Sequence, residues 1–513
     1  MKKGSLRFLR ILLSAAILAS IFAGCGGGNT GSAGAEEPSS ASKTSNQEKI
    51  SLNIMRSVGT PVPSGDSDVI RTALEKALHV NITMESTLGG GDYNNQLNVR
   101  LAGGNAPDIF QVGSRQILMD CVNKNLVLEL TPYLNKLDVY QRAVGKDALV
   151  SCYVNDKLYA WATRPNMAYG GLWIRKDWLN NLGLKEPTTL GELAGVAKKF
   201  TENDPDGNGK KDTYGLGGSG SGAFIDIFGG YGVPYPGNVY VADGKVQNSL
   251  YAQGTQDALT YVYQNFVKPK VVDPEIISNT GNQAKDKAFQ GKFGILDIDW
   301  ASMTKDQYAA QIKQINPKAE WEQIAPVKGP KGAYAGPVAV NNGVYVFAVP
   351  KSLEKDTKKI DRICQLINYC SDGEGLELVQ FGIQGVHYNK DSSGKIAATD
   401  KLAKDGGYFW VYQFAGRPDE SYLKVKFAKQ APYIEFANKQ PRIITYDPIL
   451  DLPVGFNSND AGTYINEQIV KFMYGQQPIS DYPKFISTLE SQFNYKTYVS
   501  SAEKQLKELG LVK

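Results

Sequence analysis

The sequence predicts an α/β protein with two lobes, and three observations carry that prediction. The chain has 513 residues, of which 42% are hydrophobic and 21% charged, so it can bury more than one core. Strand-like and helix-like segments alternate as β-α-β-α-β over residues 50–112, which is typical of a mostly parallel sheet covered by helices. The strand pattern returns at residues 293–299 and 343–349 after a mostly helical middle. This interleaving favours a chain that crosses between two lobes more than once.

The elements of the opening alternation follow from the spacing of apolar residues. Residues 50–55 (ISLNIM) and 80–85 (VNITME) alternate like strands, and residues 68–78 between them have helical apolar spacing. A second helix fits residues 93–102, and residues 109–112 then form an apolar strand. The C-terminal third is again mostly helical, so a helical C-terminal extension is expected.

The first 24 residues have the features of a targeting signal. Four basic residues precede an apolar run over residues 11–22, which is too short to span a bilayer, since that takes roughly 20 residues. Residues 21–25 (IFAGC) resemble a bacterial lipobox, in which the cysteine is acylated and becomes the mature N-terminus. We therefore expect a lipoprotein signal peptide over residues 1–24 and lipidation of Cys25. A plain secretory signal cleaved elsewhere is the alternative.

Removal of that segment changes the charge of the chain. It takes away four positive charges and no negative ones, so the formal net charge falls from +4 to 0. A neutral mature chain offers no electrostatic basis for binding nucleic acid. Residues 25–49 are rich in Gly, Ser and Ala and are expected to form a flexible tether to the outer face of the cytoplasmic membrane.

Four cysteines remain in the expected folded body. They are Cys121, Cys152, Cys364 and Cys370. No pair has metal-ligand spacing, and four cysteines in so long a chain do not form a disulfide framework. Buried free thiols are expected, with a Cys121–Cys152 disulfide as the alternative.

One loop concentrates oxygen ligands at alternate positions. Residues 204–215 read DPDGNGKKDTYG and fit the spacing of an EF-hand-type calcium loop, with Gly209 at the sharp turn. The expected Ca²⁺ ligands are the side chains of Asp204, Asp206, Asn208 and Asp212 and the backbone carbonyl of Lys210. Gly215 stands where a sensor EF-hand has a bidentate glutamate, so the expected calcium is structural. A solvated turn without metal is the alternative.

Several segments together resemble a known family. They are residues 106–110 (APDIF), 172–193 (LWIRKDWLNNLGLKEPTTLGEL), the loop just described, and 382–388 (GIQGVHY). In this order they resemble the extracellular solute-binding lipoproteins of ABC importers, family 1, and within it the large oligosaccharide-binding branch with a calcium loop. The similarity runs from about residue 50 to the C-terminus.

The resemblance implies a periplasmic-binding-protein-like fold of type II. Each lobe is expected to be a mostly parallel sheet flanked by helices, with residues 50–160 and about 295–345 in the N-terminal lobe and about 161–294 and 346–513 in the C-terminal lobe. It also implies a monomer that captures an oligosaccharide between the lobes and delivers it to ABC permease subunits and their ATPase.

The expected groove would need flat aromatic faces for sugar rings and polar groups for their hydroxyls. The candidates are Trp161, Arg164, Tyr231, Tyr235, Asp299, Trp300 and Trp410, together with Tyr388 from the last of the family segments. Each could instead be a core residue, as is expected of Trp173 and Trp178. The sequence does not specify the sugar, and a peptide or an anionic polymer is an alternative ligand.

Enzyme chemistry finds little support in the sequence. Asp297 and Asp299 lie on one face of a predicted strand and resemble the DxDxE pattern of family 18 chitinases, but Ala301 stands where the catalytic acid belongs. HExxH, GxSxG and P-loop motifs are absent from the sequence. We therefore expect a binding protein, with a carbohydrate-active enzyme, either a lyase or a glycosidase, or a surface adhesin or sensor partner as alternatives.

Overall fold

The computed structural model of the protein describes residues 49–87 and 90–512. The strands in this part of the chain are β1 (Ile50–Ser57), β2 (Val80–Thr87), β3 (Ile109–Val112), β4 (Tyr153–Val154), β5 (Lys157–Leu158), β6 (Trp161–Ala162), β7 (Gly170–Arg175), β8 (Tyr214–Leu216), β9 (Val239–Ala242), β10 (Lys245–Asn248), β11 (Phe293–Asp299), β12 (Trp321–Ile324), β13 (Ala335–Ala339), β14 (Val346–Ala348), β15 (Tyr388–Lys390), β16 (Ile396–Ala398) and β17 (Arg442–Thr445).

The α-helices of the same residues separate and cover these strands. They are α1 (Val69–Leu78), α2 (Gly90–Ala102), α3 (Arg115–Asn123), α4 (Asp138–Val144), α5 (Lys146–Leu149), α6 (Lys176–Asn181), α7 (Leu190–Glu202), α8 (Ile225–Gly230), α9 (Gln253–Val262), α10 (Gly281–Phe289), α11 (Trp300–Thr304), α12 (Asp306–Ile315), α13 (Thr357–Tyr369), α14 (Gly373–Phe381), α15 (Asp400–Asp405), α16 (Asp419–Lys426), α17 (Ala431–Lys439), α18 (Ser458–Met473), α19 (Tyr482–Phe493) and α20 (Tyr495–Glu508).

The predicted opening alternation is present as β1, α1, β2, α2 and β3. Strand β1 pairs in parallel with β2, where Ile50 lies opposite Val80, and with β3 on its other side. Strand β14 then joins β3 and β6 in antiparallel register, which gives the order β2-β1-β3-β14-β6. Only the first part of this sheet is parallel.

Two further four-stranded sheets have mixed strand directions. One has the order β12-β7-β11-β8, in which β7 is antiparallel to both of its neighbours and β11 is parallel to β8. The other has the order β10-β9-β17-β13 with one parallel pair, β13 and β17. The sheets are therefore mixed rather than mostly parallel, because strands that are distant in sequence join them in antiparallel register.

The strand pairing contradicts two of the expected lobe boundaries. Strand β11 was expected in the N-terminal lobe, yet it pairs with β7, whose segment was expected in the C-terminal lobe. Strand β14 was expected in the C-terminal lobe, yet it pairs with β3 in the sheet of the N-terminal lobe. Both strands are short apolar segments, and such a pattern carries no information about which sheet edge will accept them.

Local sequence accounts for the ends of helix α7. Thr189 caps the helix by accepting a hydrogen bond from the Glu192 amide, and the Glu192 carboxylate accepts one from the Thr189 amide in return. The helix then buries Leu193, Ala197 and Phe200 on one face. The helix ends at Glu202, directly before the acidic loop that starts at Asp204.

Two crossing segments, residues 163–169 and 340–345, run side by side between the sheets. The Thr163 amide donates to the Tyr345 carbonyl at 2.8 Å, and the Asn166 amide donates to the Asn342 carbonyl at 2.8 Å. Gly343 has a φ of +64°, and a Cβ atom there would lie 2.4 Å from the Asn166 side-chain nitrogen. The close approach of the two segments therefore requires glycine at this position.

The cysteines agree with the expected free thiols. Cys121, Cys152, Cys364 and Cys370 are all buried and unbridged, so the alternative Cys121–Cys152 disulfide is wrong. Burial raises the pKa of the Cys152 thiol to about 12, which keeps it protonated and unreactive.

The N-terminal predictions, namely the signal peptide, lipidation of Cys25 and the tether over residues 25–49, fall outside the described residues apart from position 49. Among the residues that are described, we find no helix with the length and apolar character needed to cross a membrane.

Candidate ligand-binding cleft

A cleft of about 1030 Å³ opens beside the crossing segments. Its walls come from the crossing segments, from α11 and the start of α12, and from residues 398–430. Its larger side chains are Arg164, Tyr169, Trp300, Lys305, Asp306, Tyr345, Asp400, Trp410, Gln413, Arg417, Tyr422, Lys426, Phe427, Lys429 and Gln430. The volume lies at the upper end of the range usual for small-molecule sites.

Aromatic pairs form two parts of the cleft wall. Tyr345 and Trp410 stack with ring centroids 6.1 Å apart and an interplanar angle of 26°. Trp300 meets Tyr169 edge-on at 6.5 Å and Phe427 at 5.5 Å. Such rigid apolar faces are suited to a ring-shaped ligand that also carries polar groups.

The end of β11 holds Trp300 in position. Asp299 caps helix α11, accepting hydrogen bonds from the Ser302 amide at 2.9 Å and the Ser302 hydroxyl at 2.7 Å. The Trp300 amide donates to the Tyr169 carbonyl at 3.1 Å, and its side chain is only 2% exposed. Among the described residues, the buried indole nitrogen has no hydrogen-bond partner.

Asp299 itself does not line this cleft. Its carboxylate is occupied by the cap and lies on a second, smaller cavity of about 410 Å³ formed with residues 218–219 and 280–285. Asp299 was predicted to bind the ligand, but its carboxylate is instead occupied by the Ser302 amide and hydroxyl, so it does not contribute to this cleft.

Arg164 enters the cleft from the first crossing segment. Its Nε donates to the Ala143 carbonyl at 2.7 Å, and one terminal nitrogen donates to the Ser371 carbonyl at 3.0 Å. The other terminal nitrogen, Nη1, is buried without a partner. Burial lowers the pKa of this guanidinium, and arginine side chains are charged in proteins.

Two predicted residues lie in the hydrophobic core instead of the cleft. Trp161 is fully buried, stacks on Phe347 at 5.6 Å and donates its indole N–H to the Phe414 carbonyl at 3.1 Å. Tyr388 is also buried, and its hydroxyl donates to Glu377 at 2.9 Å. Both are packing residues, and both predictions of cleft exposure are wrong.

Two predicted tyrosines lie elsewhere in the fold. Tyr231 packs against Tyr261 with ring centroids 5.9 Å apart, and Tyr235 hydrogen-bonds through its hydroxyl to Ser221 and, at 3.3 Å, to Asn466. Neither lines the cleft. Of the eight predicted residues, the structure brings Arg164, Trp300 and Trp410 together there.

Sequence analysis missed the wall formed by residues 417–430. Arg417 donates to Asp419 at 2.7 Å and lies 4.2 Å from the Tyr422 ring. Asp419 accepts a further hydrogen bond from the Tyr169 hydroxyl at 2.6 Å, which ties this wall to the crossing segment. The signal was the alternation of aromatic and basic residues in SYLKVKFAKQ, which also fits an ordinary amphipathic helix.

The predicted calcium loop has the expected turn geometry. Asp204 accepts hydrogen bonds from the amides of Asn208 at 3.0 Å and Gly209 at 2.8 Å. The Asn208 side-chain amide donates to Asp206 at 2.9 Å and to Asp212 at 3.1 Å. A positively polarised N–H₂ group thus lies between two carboxylates, where a cation would otherwise balance them.

The fit of this loop to a cation rests on Asp206. One of its carboxylate oxygens is buried without a hydrogen-bond partner, and burial followed by the neighbouring Asp204 raises the pKa of its carboxyl. Over the described ranges, no three His, Cys, Asp or Glu side chains are grouped closely enough to hold a metal by themselves. A bound ion would therefore also need amide, carbonyl or water oxygens, and Asn208 and Lys210 supply the first two.

The carboxylates that suggested a glycosidase have a structural role. Asp297 lies at hydrogen-bonding range of Asp226, and both carboxyls are buried near Arg442. Burial and the charge of Asp297 raise the pKa of Asp226 well above its usual range, so Asp226 holds a proton that it can share with Asp297. The Arg442 guanidinium donates to the Gly336 carbonyl at 2.7 Å and closes the group.

Sheets flanked by helices, crossing segments between them and an aromatic cleft beside those segments together define a two-lobe ligand-binding protein. Residues 59–371, more than half of the chain, match the sequence model of the bacterial extracellular solute-binding proteins. The chain belongs to this family. Its members are binding proteins, which leaves the alternative of a carbohydrate-active enzyme without support.

Similar proteins extend over nearly the whole chain. The polygalacturonan/rhamnogalacturonan-binding protein YtcQ of Bacillus subtilis (strain 168) is 26% identical over 506 residues, covering 94% of this chain and 95% of the relative. Among solved structures, the Streptococcus pneumoniae ABC-transporter substrate-binding protein FusA in complex with kestose has a TM-score of 0.66 at 16% identity, covering 90% of this chain and 99% of that one.

A third similar protein is the alginate-binding protein AlgQ2, solved without calcium ion. Its TM-score is also 0.66 at 16% identity, with 90% of this chain and 98% of that chain covered. At this identity the two structures establish the fold alone. They confirm the expected α/β architecture of two lobes with sheets flanked by helices.

Proposed function

We propose that this protein captures an oligosaccharide in the cleft and delivers it to the membrane permease and ATPase of an ABC importer. The observation that carries the proposal is the cleft itself, whose volume of about 1030 Å³ is lined by aromatic faces and hydrogen-bonding side chains. Aromatic faces stack on the apolar faces of sugar rings, and the polar groups between them bind hydroxyls. The similarity to YtcQ, a polygalacturonan/rhamnogalacturonan-binding protein, and to FusA, which was solved with kestose, supports this ligand class.

Trp410, Tyr345 and Tyr169, which are half-buried at the cleft, are the proposed stacking surfaces, and the almost fully buried Trp300 supports Tyr169 from behind. Arg164 is proposed to bind the ligand directly, because its Nη1 is buried at the cleft without a partner. Asp299 acts indirectly by holding helix α11, and with it Trp300, in place.

The two lobes are proposed to close over the ligand by a hinge motion. In this proposal the first lobe contains residues 50–162 and 346–437, and the second contains residues 170–339 and 442–512. The crossing segments connect them, and the ligand favours the closed state because it touches side chains from both.

The lipid anchor and the tether complete the proposal. Acylation of Cys25 and a flexible segment over residues 25–49 would hold a monomeric receptor on the outer face of the cytoplasmic membrane, within reach of the permease. The lipobox-like residues 21–25 support this localisation.

A structural calcium ion is proposed at the loop of residues 204–215. Asp204, Asp206, Asn208 and Asp212 would supply side-chain oxygens, and Lys210 its carbonyl. A hard divalent cation at this site would neutralise the clustered carboxylates and hold the end of helix α7 against the following strand, β8.

Calorimetric titration tests the main proposal. The mature protein, without its first 24 residues, is titrated with pectic, alginate, xylan, glucan and fructan oligosaccharides, and each mixture is then analysed for products. We expect saturable binding of at least one saccharide class with no cleavage. Absence of binding across the set would refute the proposal. Cleavage of any of the saccharides would support the enzyme alternative instead.

A further inference from the structure

The charged side chains that line the cleft are unequal in number. Five are cationic and two are acidic, namely Asp306 and Asp400. The described chain is otherwise close to neutral, since the whole sequence has 56 basic and 52 acidic residues. Positive charge is thus concentrated where the ligand is proposed to bind.

Ion pairs within the protein account for only two of these cations. Lys429 pairs with Asp306 at 2.9 Å on the exposed rim, and Arg417 pairs with Asp419 at 2.7 Å behind the wall. The remaining acidic side chain, Asp400, is exposed and contributes through its charge to the environment of Lys429. These contacts leave three cations without a carboxylate of their own.

Those three cations are Arg164, Lys305 and Lys426. Within the described residues, none of them has a carboxylate oxygen within 4.0 Å. Lys426 donates to the Gly406 carbonyl at 2.8 Å and to the Tyr422 hydroxyl at 3.0 Å, so only neutral groups hold it. Arg164 likewise donates only to backbone carbonyls.

Lys305 and Lys426 approach the same aromatic ring. Their ammonium nitrogens lie 5.0 Å and 5.9 Å from the centroid of Phe427. A cation–π contact is worth only about 0.5–2 kcal/mol, so the ring does not replace a carboxylate partner for either ammonium group. An anionic group at this part of the cleft would supply that partner.

A further guanidinium lies next to the part of the cleft wall formed by Tyr345 and Trp410. Arg56 is fully buried, and its Cζ lies 5.1 Å from the ring centroid of Tyr345 and 5.5 Å from that of Trp410. It hydrogen-bonds to the Val411 carbonyl and has no carboxylate partner among the described residues, and its Nε has no partner at all. This uncompensated charge makes the electrostatic potential at the Tyr345–Trp410 wall more positive.

Resting on the proposed function, we propose that the ligand is an acidic oligosaccharide built from uronic acid units, whose carboxylates are bound by Lys305, Lys426 and Arg164. A uronate combines a ring whose apolar face can stack on Trp410 or Tyr345 with one carboxylate per sugar unit. Charge-assisted hydrogen bonds to that carboxylate are roughly twice as strong as neutral ones. A neutral sugar would leave the unpaired cations of the cleft uncompensated.

The first experiment compares one saccharide with and without its negative charges. Trigalacturonate and its fully methyl-esterified form are titrated into the mature protein by calorimetry at low and high salt. We expect the acid to bind at least tenfold more tightly than the ester. We also expect added salt to weaken the binding of the acid but not that of the ester. Trimers of mannuronate and guluronate and a glucuronoxylan fragment, measured in parallel, identify which acidic polymer is the source.

Lysine variants then test the proposed contacts. Lys305→Gln and Lys426→Gln are each expected to weaken the binding of trigalacturonate about tenfold. Each should change the binding of the ester less than twofold. Lys136→Gln is the matched control, because Lys136 also lies near an aromatic ring, 5.9 Å from Tyr133, but lies outside the cleft. We expect the control to bind both ligands as the parent does.

The outcomes separate this inference from the proposed function. Equal affinity for the acid and the ester, or tight binding of neutral oligosaccharides alone, would overturn the acidic ligand while the oligosaccharide receptor stands. Failure of every acidic and neutral saccharide to bind would overturn both. Lysine variants that weaken the acid and the ester equally would show that the lysines shape the cleft without recognising charge, which also contradicts the inference.

Discussion

Trp161 and Trp410 belong to one connected set of rings around Arg56. Trp161 stacks on Phe347, whose ring centroid lies 4.9 Å from the Arg56 Cζ, and the same guanidinium lies 5.5 Å from the ring of Trp410. Trp161 ends in the core with its indole N–H hydrogen-bonded, whereas Trp410 ends half-buried at the cleft. Neighbouring tryptophans can therefore have separate roles in stability and binding.

Substitution of each tryptophan should separate these roles. Trp161→Ala is expected to destabilise the protein by about 3–5 kcal/mol, because it leaves a large cavity and an unpaired carbonyl. Trp410→Ala is expected to cost less stability and to weaken oligosaccharide binding about tenfold through loss of a stacking surface. Urea unfolding and calorimetric titration measure the two effects. A Trp410 variant with unchanged affinity would contradict its role in the cleft.

At the scale of single elements, two acidic groups carry the clearest electrostatic consequences. The loop after helix α7 gathers three carboxylates around the Asn208 amide. The strand β11 carries Asp297 into a buried group with Asp226 and Arg442. The first group is exposed and suited to a cation, whereas in the second group Asp226 is buried and its raised pKa favours a bound proton.

Removal of calcium should lower the stability of the protein. If the dissociation constant is about 10 μM, 1 mM calcium stabilises the folded state by about 2.7 kcal/mol. We expect EGTA to lower the melting temperature by several degrees, and Asp206→Asn to abolish the calcium-dependent part of the shift. Asp391→Asn is the control, because Asp391 organises an exposed turn through backbone amides outside the loop. A melting temperature insensitive to calcium would refute the site.

The buried carboxyl pair predicts a pH dependence of a definite sign. Burial and the nearby Asp297 raise the pKa of Asp226 above its unfolded value of about 3.9, so the folded protein keeps a proton that the unfolded chain has released. Stability is therefore lost as pH rises through the interval between the two pKa values, by up to about 1.4 kcal/mol per pH unit.

Asp226→Asn tests this sign, because it keeps a neutral hydrogen-bond donor beside Asp297 and removes the titration. Relative to the parent, the variant should become progressively more stable in urea unfolding as the pH rises above the unfolded pKa of about 3.9. Asp243→Asn, on an exposed turn, serves as the control for simple loss of a charge. Parallel stability profiles of Asp226→Asn and the parent would contradict the assignment of the proton.

At the scale of the whole molecule, the crossing segments determine where the cleft lies. Hydrogen bonds between Thr163 and Tyr345 and between Asn166 and Asn342 hold the two crossing segments together. Tyr169 and Tyr345, at the ends of these segments, also line the cleft. A ligand held there contacts the connection between the sheets as well as the walls.

Ligand binding should therefore make the molecule more compact. Small-angle X-ray scattering is expected to show a smaller radius of gyration when a saturating oligosaccharide is present, because closure brings the lobes together. The Trp410→Ala variant at the same ligand concentration should remain closer to the unliganded value. An unchanged radius of gyration at proven saturation would contradict hinge closure.

Much of the architecture was predictable from local sequence. The alternation over residues 50–112 predicted β1, α1, β2, α2 and β3, because period-two and helical apolar spacing report directly on local geometry. The order of the family segments predicted the binding-protein fold. Arg164, Trp300 and Trp410 were predicted for the cleft because each lies in a Gly- or Pro-containing segment or at a strand end.

The remaining site residues could not be predicted in this way. Trp161 and Trp410 both occur in short aromatic segments, and only the packing of β6 against β14 decides that the first is buried. The cations that lack carboxylates come from positions 164, 305 and 426, which lie far apart in the chain, and no local pattern relates them.

The amino-acid sequence by itself determined the elements of secondary structure, the acidic loop geometry and the absence of catalytic motifs, because each of these depends on residues close together in the chain. Tertiary structure alone decided which sheet receives β11 and β14, which aromatic rings face the cleft and which cations lack a partner. These properties depend on contacts between residues that are far apart in the chain, and such contacts exist only once the chain has folded.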